Sequence, residues 1–106
     1  MTGAERHPTA DLDETVHQRV RLGILAILSE ADRAAFTHLR ETLDVTDGNL
    51  SRHLAVLSEA GLVEVAKGYE GSRPRTWVRA TAKGRRTFAA ELRALRELLA
   101  RHDPPG

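Results

Sequence analysis

Cysteine is absent from the 106-residue sequence, which removes disulfides, thiolate metal sites and thiol nucleophiles together. Aromatic residues make up only 4% against 41% hydrophobic residues in all, so the core is aliphatic and modest, enough for one domain of this length. No stretch approaches the roughly 20 apolar residues of a membrane span. The polar start MTGAERHPTA has no apolar centre of the kind a signal peptide needs, and a cytoplasmic protein is expected. Phosphate loop, nucleophile elbow and a carboxylate pair in a marked pocket are missing as well. Enzyme activity therefore has no support, and no cofactor is implied. Internal repeats and low-complexity tracts are also lacking.

Net charge is scarce too, only +1, but it is unevenly placed. Residues 1–45 hold 5 Lys/Arg against 8 Asp/Glu, residues 46–86 hold 8 against 4, and residues 87–106 hold 3 of each. The basic excess thus falls in the middle of the chain. Arg dominates among the cations, which favours bidentate contacts, although a GC-rich genome would produce the same bias.

The most informative run lies in that basic stretch: Thr46 to Val63, TDGNLSRHLAVLSEAGLV. Leu50, Leu54 and Leu57 recur at spacings of four and three and share one helical face. At about 100° per residue, Gly48, Asn49, Ser51, Arg52 and Ala55 fall on or beside the opposite face, small or hydrogen-bonding residues all. Thr46 is placed to cap the first turn, and Gly61 to end the helix in a left-handed conformation.

Around this run the apolar pattern orders the other elements. Leu12, Val16, Val20, Ile24, Ile27 and Leu28 predict a helix starting near Leu12, with Leu22 and Leu25 opening a second apolar stripe. Ala35-Phe36 suits a short extended piece, Thr37 a cap, and Leu39 with Leu43 the buried pair of a short helix joined through Asp44-Val45 to the Thr46 helix. Beyond Gly61, Val63 and Val65 alternate with Glu64 and Ala66, and Trp77, Val78 and Ala80 supply a second strand. Gly68 to Arg75 between them reads as a long loop with a basic tip. Thr81 caps a last helix with Phe88, Leu92, Leu95 and Leu99 along a short seam, stopped by Pro104-Pro105. Residues 1–10 and 102–106 are expected as tails about one domain, 11–101.

This order of elements resembles the winged-helix transcriptional regulators of the ArsR/MarR type. Within that group, TDGNLSRHL, then SEAGLV, then RPRTWVRATAKGRR is similar to the small stand-alone winged-helix DNA-binding family with a T-x-G-N-L-S-x-H-L helix, a K…R-P-R-T wing and an L-T-x-x-G helix start. The resemblance covers roughly residues 12–100. It implies a mainly α fold with a small β-hairpin, a winged helix-turn-helix flanked by N- and C-terminal dimerisation helices.

The resemblance also implies that the Thr46 helix enters the major groove of double-stranded DNA, and the chemistry agrees. Its first turn offers amides and hydroxyls to phosphate, and Asn49 and Arg52 reach base edges. The candidate DNA-binding residues are Thr46, Asp47, Gly48, Asn49, Ser51 and Arg52, with Lys67, Arg73 and Arg75 of the wing on phosphate or in the minor groove. Asp47 either caps, repels phosphate or accepts from cytosine. His53, beside the apolar seam, is better suited to packing or a backbone hydrogen bond than to phosphate.

Val16, Val20, Leu92, Leu95 and Leu99 are the candidate homodimer contacts. A homodimeric repressor on a palindromic operator follows, while a protein-interaction module and a non-specific architectural DNA binder stay open. Asp13, His17 and His102 are thin candidates for metal ligands across a dimer; a solvated helix face explains them as well.

Overall fold

The computed structural model describes residues 6–103. After a one-turn 3-10 helix at Pro8–Asp11 come α1 (Arg19–Ser29), β1 (Ala34–Ala35), α2 (Phe36–Leu43), α3 (Asp47–Glu59), β2 (Val63–Glu70), β3 (Arg73–Ala80) and α4 (Ala82–His102). The strands form one antiparallel sheet in the order β1-β3-β2. Its pairing sets Ala34 opposite Val78 and Val78 opposite Val65, so the sheet turns one face onto the helices. Ile24, Leu25, Leu28, Leu39, Leu50, Leu57, Val63 and Val78 fill the space between, an aliphatic core as the composition requires. These elements form a winged helix-turn-helix.

The first helix begins at Arg19 rather than near Leu12. Gln18 caps it, its side-chain oxygen accepting from the amides of Val20 and Arg21 at 2.9 Å each. Upstream, the Asp13 carboxylate accepts from the amides of Thr15 and Val16 at 2.8 and 3.3 Å. This side-chain turn delivers Val16 to the core without a helix. Val16 and Val20 are 0% and 2% exposed: both are spent inside the protomer and cannot contact a partner, which corrects their assignment to a dimer interface. Pro8 is buried as the 3-10 helix packs on α4, so residues 8–10 are not a loose tail. Residues 1–5 and the Pro104-Pro105 stop lie outside the described residues.

Two further expectations fail for local reasons. Thr37 does not cap α2; Ala35 is the cap residue and makes no side-chain bond, while the Thr37 hydroxyl accepts from Arg75 at 3.3 Å. The hairpin link is not a long loop either, for pairing runs out to Glu70 opposite Arg73 and leaves only Gly71-Ser72 between the strands. Gly71 has φ 62°, and among the described residues no non-glycine residue but Asp44 has positive φ, the pattern of a type II′ turn. Pro74, opposite Tyr69, is one step from the hydrogen-bonded pair that flanks such a turn. Its missing N–H thus costs no ladder bond.

At the other end of the hairpin, the start of α4 grips the end of α3. The Lys83 ammonium donates to the Ala60 carbonyl at 3.0 Å, the Thr81 hydroxyl to Gly61 at 2.6 Å and the Thr81 amide to Leu62 at 3.0 Å. The carbonyls of Ala60, Gly61 and Leu62, at and just beyond the end of α3, are thereby satisfied. Thr81 also caps α4 by accepting from the Gly84 amide. A Cβ on Gly84 would collide with the Leu62 carbonyl oxygen, so only glycine permits this approach. The position of α3 is in this way tied to α4.

Candidate nucleic-acid interface

α3 presents the polar face that its spacing predicts. Leu50, Leu54 and Leu57 are buried, while Gly48, Ser51, Arg52 and Ala55 are exposed. The Thr46 hydroxyl accepts from the Asn49 amide at 3.1 Å, so Thr46 acts as the cap. The turn before it rests on Asp44, the one non-glycine residue with positive φ among the described residues, at 54°. Asp47 has a partner the sequence did not reveal: Arg40 of α2 donates to its carboxylate at 2.8 Å. That contact offsets the acid's charge and leaves it in the first turn, where the helix dipole favours an anion. Asn49 is half-buried, and its Oδ1 is enclosed without a hydrogen-bond partner.

His53 is 8% exposed and packs as its place beside the seam suggests, though its partner is a side chain. Arg21 of α1 lies 3.1 Å from its Nδ1. A guanidinium only donates, so Nδ1 accepts and the imidazole is neutral, with its proton on Nε2. Burial, then the charges of Arg21, Arg52 and Arg19 in that order, hold the group below its usual pKa of 6.5. Arg21 also donates through Nε to the Thr15 carbonyl at 2.5 Å. The sequence marks neither arginine of α1, since no periodicity brings residues 19–21 beside residue 53.

In the wing, Lys67 and Arg73 are exposed. Arg75 differs: its Nε donates to Glu70 at 3.1 Å and its Nη1 to Thr37 at 3.3 Å, with the side chain 24% exposed. It braces the wing against α2. On the outer face of the sheet the Arg33 guanidinium lies 3.7 Å from the Trp77 ring centroid, and the indole N–H donates to the Tyr69 carbonyl at 3.3 Å. These contacts and those of Arg75, two residues away on β3, stiffen the hairpin along one face. Between wing and helix, Ser51, Leu54 and Ala55 share an open groove with Phe36, Val65 and Thr76, so the outward face of α3 continues onto β2 and β3.

The metal candidates separate. Asp13 and His17 both meet Glu91 in the middle of α4: Glu91 accepts from the Asp13 amide at 2.9 Å and from the His17 ring at 2.8 Å. His102 stands eleven residues further along α4, about 16 Å away at the helical rise. No group of three metal-ligating side chains forms among the described residues. Glu91 itself is fully buried, a structural acid hidden in a seam that reads as apolar; it anchors the segment before α1 to α4. Among the described residues no helix is long and apolar enough to cross a membrane.

Comparison with known proteins agrees with this geometry. Residues 20–99 match the model of a winged helix DNA-binding domain family. An uncharacterized protein of Methanocaldococcus jannaschii is 44% identical over 69 residues, 65% of this chain and 75% of that one. The solved structure of a transcriptional regulator homologue from Pyrococcus horikoshii superposes with TM-score 0.80 at 34% identity, covering 87% of this chain and 91% of the other. A homodimeric winged helix-turn-helix DNA-binding domain from Mycobacterium bovis, a possible ArsR-family regulator, shares the fold at TM-score 0.69 and 23% identity over 100% of both chains. With a helix-turn-helix whose second helix is open along its polar face, a paired hairpin beside it and a family match over most of its length, the chain belongs to the winged helix DNA-binding domain family.

Proposed function

We propose that this protein is a sequence-specific transcriptional regulator that binds its operator as a homodimer and represses by occupying the promoter. The observation that carries the reading is α3: its apolar seam is buried, while Gly48, Asn49, Ser51 and Arg52 form a polar surface beside a braced basic hairpin. Small Gly48 and Ala55 allow close approach to the groove floor, and Asn49 and Arg52 supply base-edge donors. Lys67 and Arg73 are the wing's backbone contacts, with Arg75 holding the wing in place. On α4, Leu99 is 63% exposed and Leu95 half-buried; with Leu92 at their start they are the dimer contacts. The Mycobacterium bovis domain of the same fold is homodimeric. Because the start of α4 grips the end of α3, a two-fold axis along α4 would set the separation of two recognition helices. Half-sites about 10 base pairs apart, or a multiple, are expected.

The deciding experiment is binding to fragments of the protein's own genomic neighbourhood, against nonspecific competitor at two salt concentrations. A discrete palindromic site that survives competitor and weakens with salt supports the reading. Binding without sequence preference would leave an architectural role, and salt-insensitive binding to a protein instead of DNA would refute it. For the dimer, Leu95→Glu is expected to give monomers at micromolar concentration; an intact dimer would remove α4 from the interface.

A further inference from the structure

We propose that the DNA-contacting surface extends beyond α3 and the wing to the first turn of α1, where Arg19 and Arg21 join Arg52 in a corner that binds the phosphate backbone flanking the groove. This rests on the DNA-binding reading above. Its starting point is the contact between Arg21 and His53, which sets the beginning of α1 against α3 at the residue next to Arg52. The major groove is about 12 Å wide, so with α3 seated in it, a neighbouring helix end touching α3's flank lies at the rim, where phosphates run.

The charges at this corner are left open. Among the described residues, Arg6, Arg40 and Arg75 each have a carboxylate within 4.0 Å, whereas Arg19, Arg21 and Arg52 have none. The first turn of α1 also contains no acidic residue, although the positive end of a helix favours anions and disfavours cations. Two arginines there, beside a third on α3, repel one another and the helix end. The nearby histidine relieves nothing, being neutral. Three guanidiniums without a carboxylate partner among the described residues, gathered around one neutral imidazole, are electrostatically complementary to a polyanion. Within the corner the roles divide: Arg21 has Nε and Nη1 committed to Thr15 and His53, which aims its remaining N–H groups, while exposed Arg19 is free to follow the backbone.

The test uses the intact protein and a random-sequence duplex of about 30 base pairs, titrated by fluorescence anisotropy across about 50–200 mM salt. Arg19→Ala, and Arg19→Gln which keeps most of the side-chain stem, are expected to reduce the slope of log affinity against log salt by about 1 and to weaken unrelated sequences equally. Their melting temperature should hold or rise, since a cation leaves the helix start. An unchanged salt slope for both variants, while Arg73→Ala lowers it, would overturn the corner and leave DNA binding standing. If the unaltered protein shows no salt-dependent duplex binding, the DNA reading and this inference fall together.

Discussion

In the wing, Arg75 donates to Glu70 and Thr37 and Arg33 lies over Trp77, whereas where α1 meets α3, Arg19, Arg21 and Arg52 face no carboxylate among the described residues. Both regions are basic, and a count of arginines would score them alike. The guanidinium groups nevertheless serve different ends. One that is bonded internally fixes the shape of a hairpin that two strands alone would leave marginal; one without a partner keeps its charge and donors for a ligand. Basic composition therefore overstates the contact surface of the wing and understates that of the α1–α3 corner.

The wing's place depends most heavily on its base, so the largest expected effect is that of Gly84→Ala. The new methyl would collide with the Leu62 carbonyl, a backbone atom with little freedom to yield. A loss of about 3 kcal/mol in urea unfolding is expected, the upper end for overpacking; a change below about 0.5 kcal/mol would show that α4 and α3 are not locked there. Next comes Arg52→Ala, expected to cost about 1–3 kcal/mol of discrimination at one base position. Uniform weakening over all operators would instead place Arg52 with the backbone-binding arginines.

A smaller and more diagnostic contrast sets Arg73 against Arg75, two residues apart on β3. Arg73→Ala should lower the salt slope of DNA binding by about 1 and leave stability within about 0.5 kcal/mol. Arg75→Ala should cost about 1 kcal/mol of stability, the worth of its partly shielded hydrogen bonds. Its salt slope should change less than that of Arg73→Ala. Identical behaviour of the two variants in both measurements would erase the distinction between bracing and contacting arginines.

How much of this was legible follows from the range of each interaction. The α3 helix, its cap and its stop are written in consecutive residues, and the geometry of Thr46, Leu50, Leu54, Leu57 and Gly61 agrees with their spacing. The start of α1 is not marked in the sequence, because Val16 keeps helical spacing while reaching the core through the Asp13 turn. Glycine and proline suggest a longer hairpin link than the fold has, since a type II′ turn needs glycine only at its first position and Pro74 falls at a site without a ladder bond. Partners distant in sequence left no local trace: Arg40 with Asp47, Arg21 with His53, Glu91 with His17. Gly84 was visible as part of a family pattern, but its reason, the approach to Leu62, is tertiary.

The smallest expected effect concerns His53 and gives the α1–α3 corner a readout without DNA. In the unfolded chain its imidazole has an ordinary pKa, near 6.5; in the fold, burial first and then the charges of Arg21, Arg52 and Arg19 lower it. Below about pH 6.5 the unfolded state then binds more protons than the folded one, so stability rises with pH across that window. The contribution of this group is fully present above the unfolded pKa and is lost as pH falls toward the folded one. His53→Gln removes the titration while keeping an acceptor within reach of Arg21. Between about pH 7.5 and 5.5, the melting temperature of the unaltered protein should therefore fall further than that of the variant. The difference should narrow in high salt, which screens the three arginines but not the burial. Parallel curves would mean that His53 titrates as it does in water and that the corner exerts no field upon it; a difference insensitive to salt would assign the whole shift to burial and weaken the case that the arginines act together.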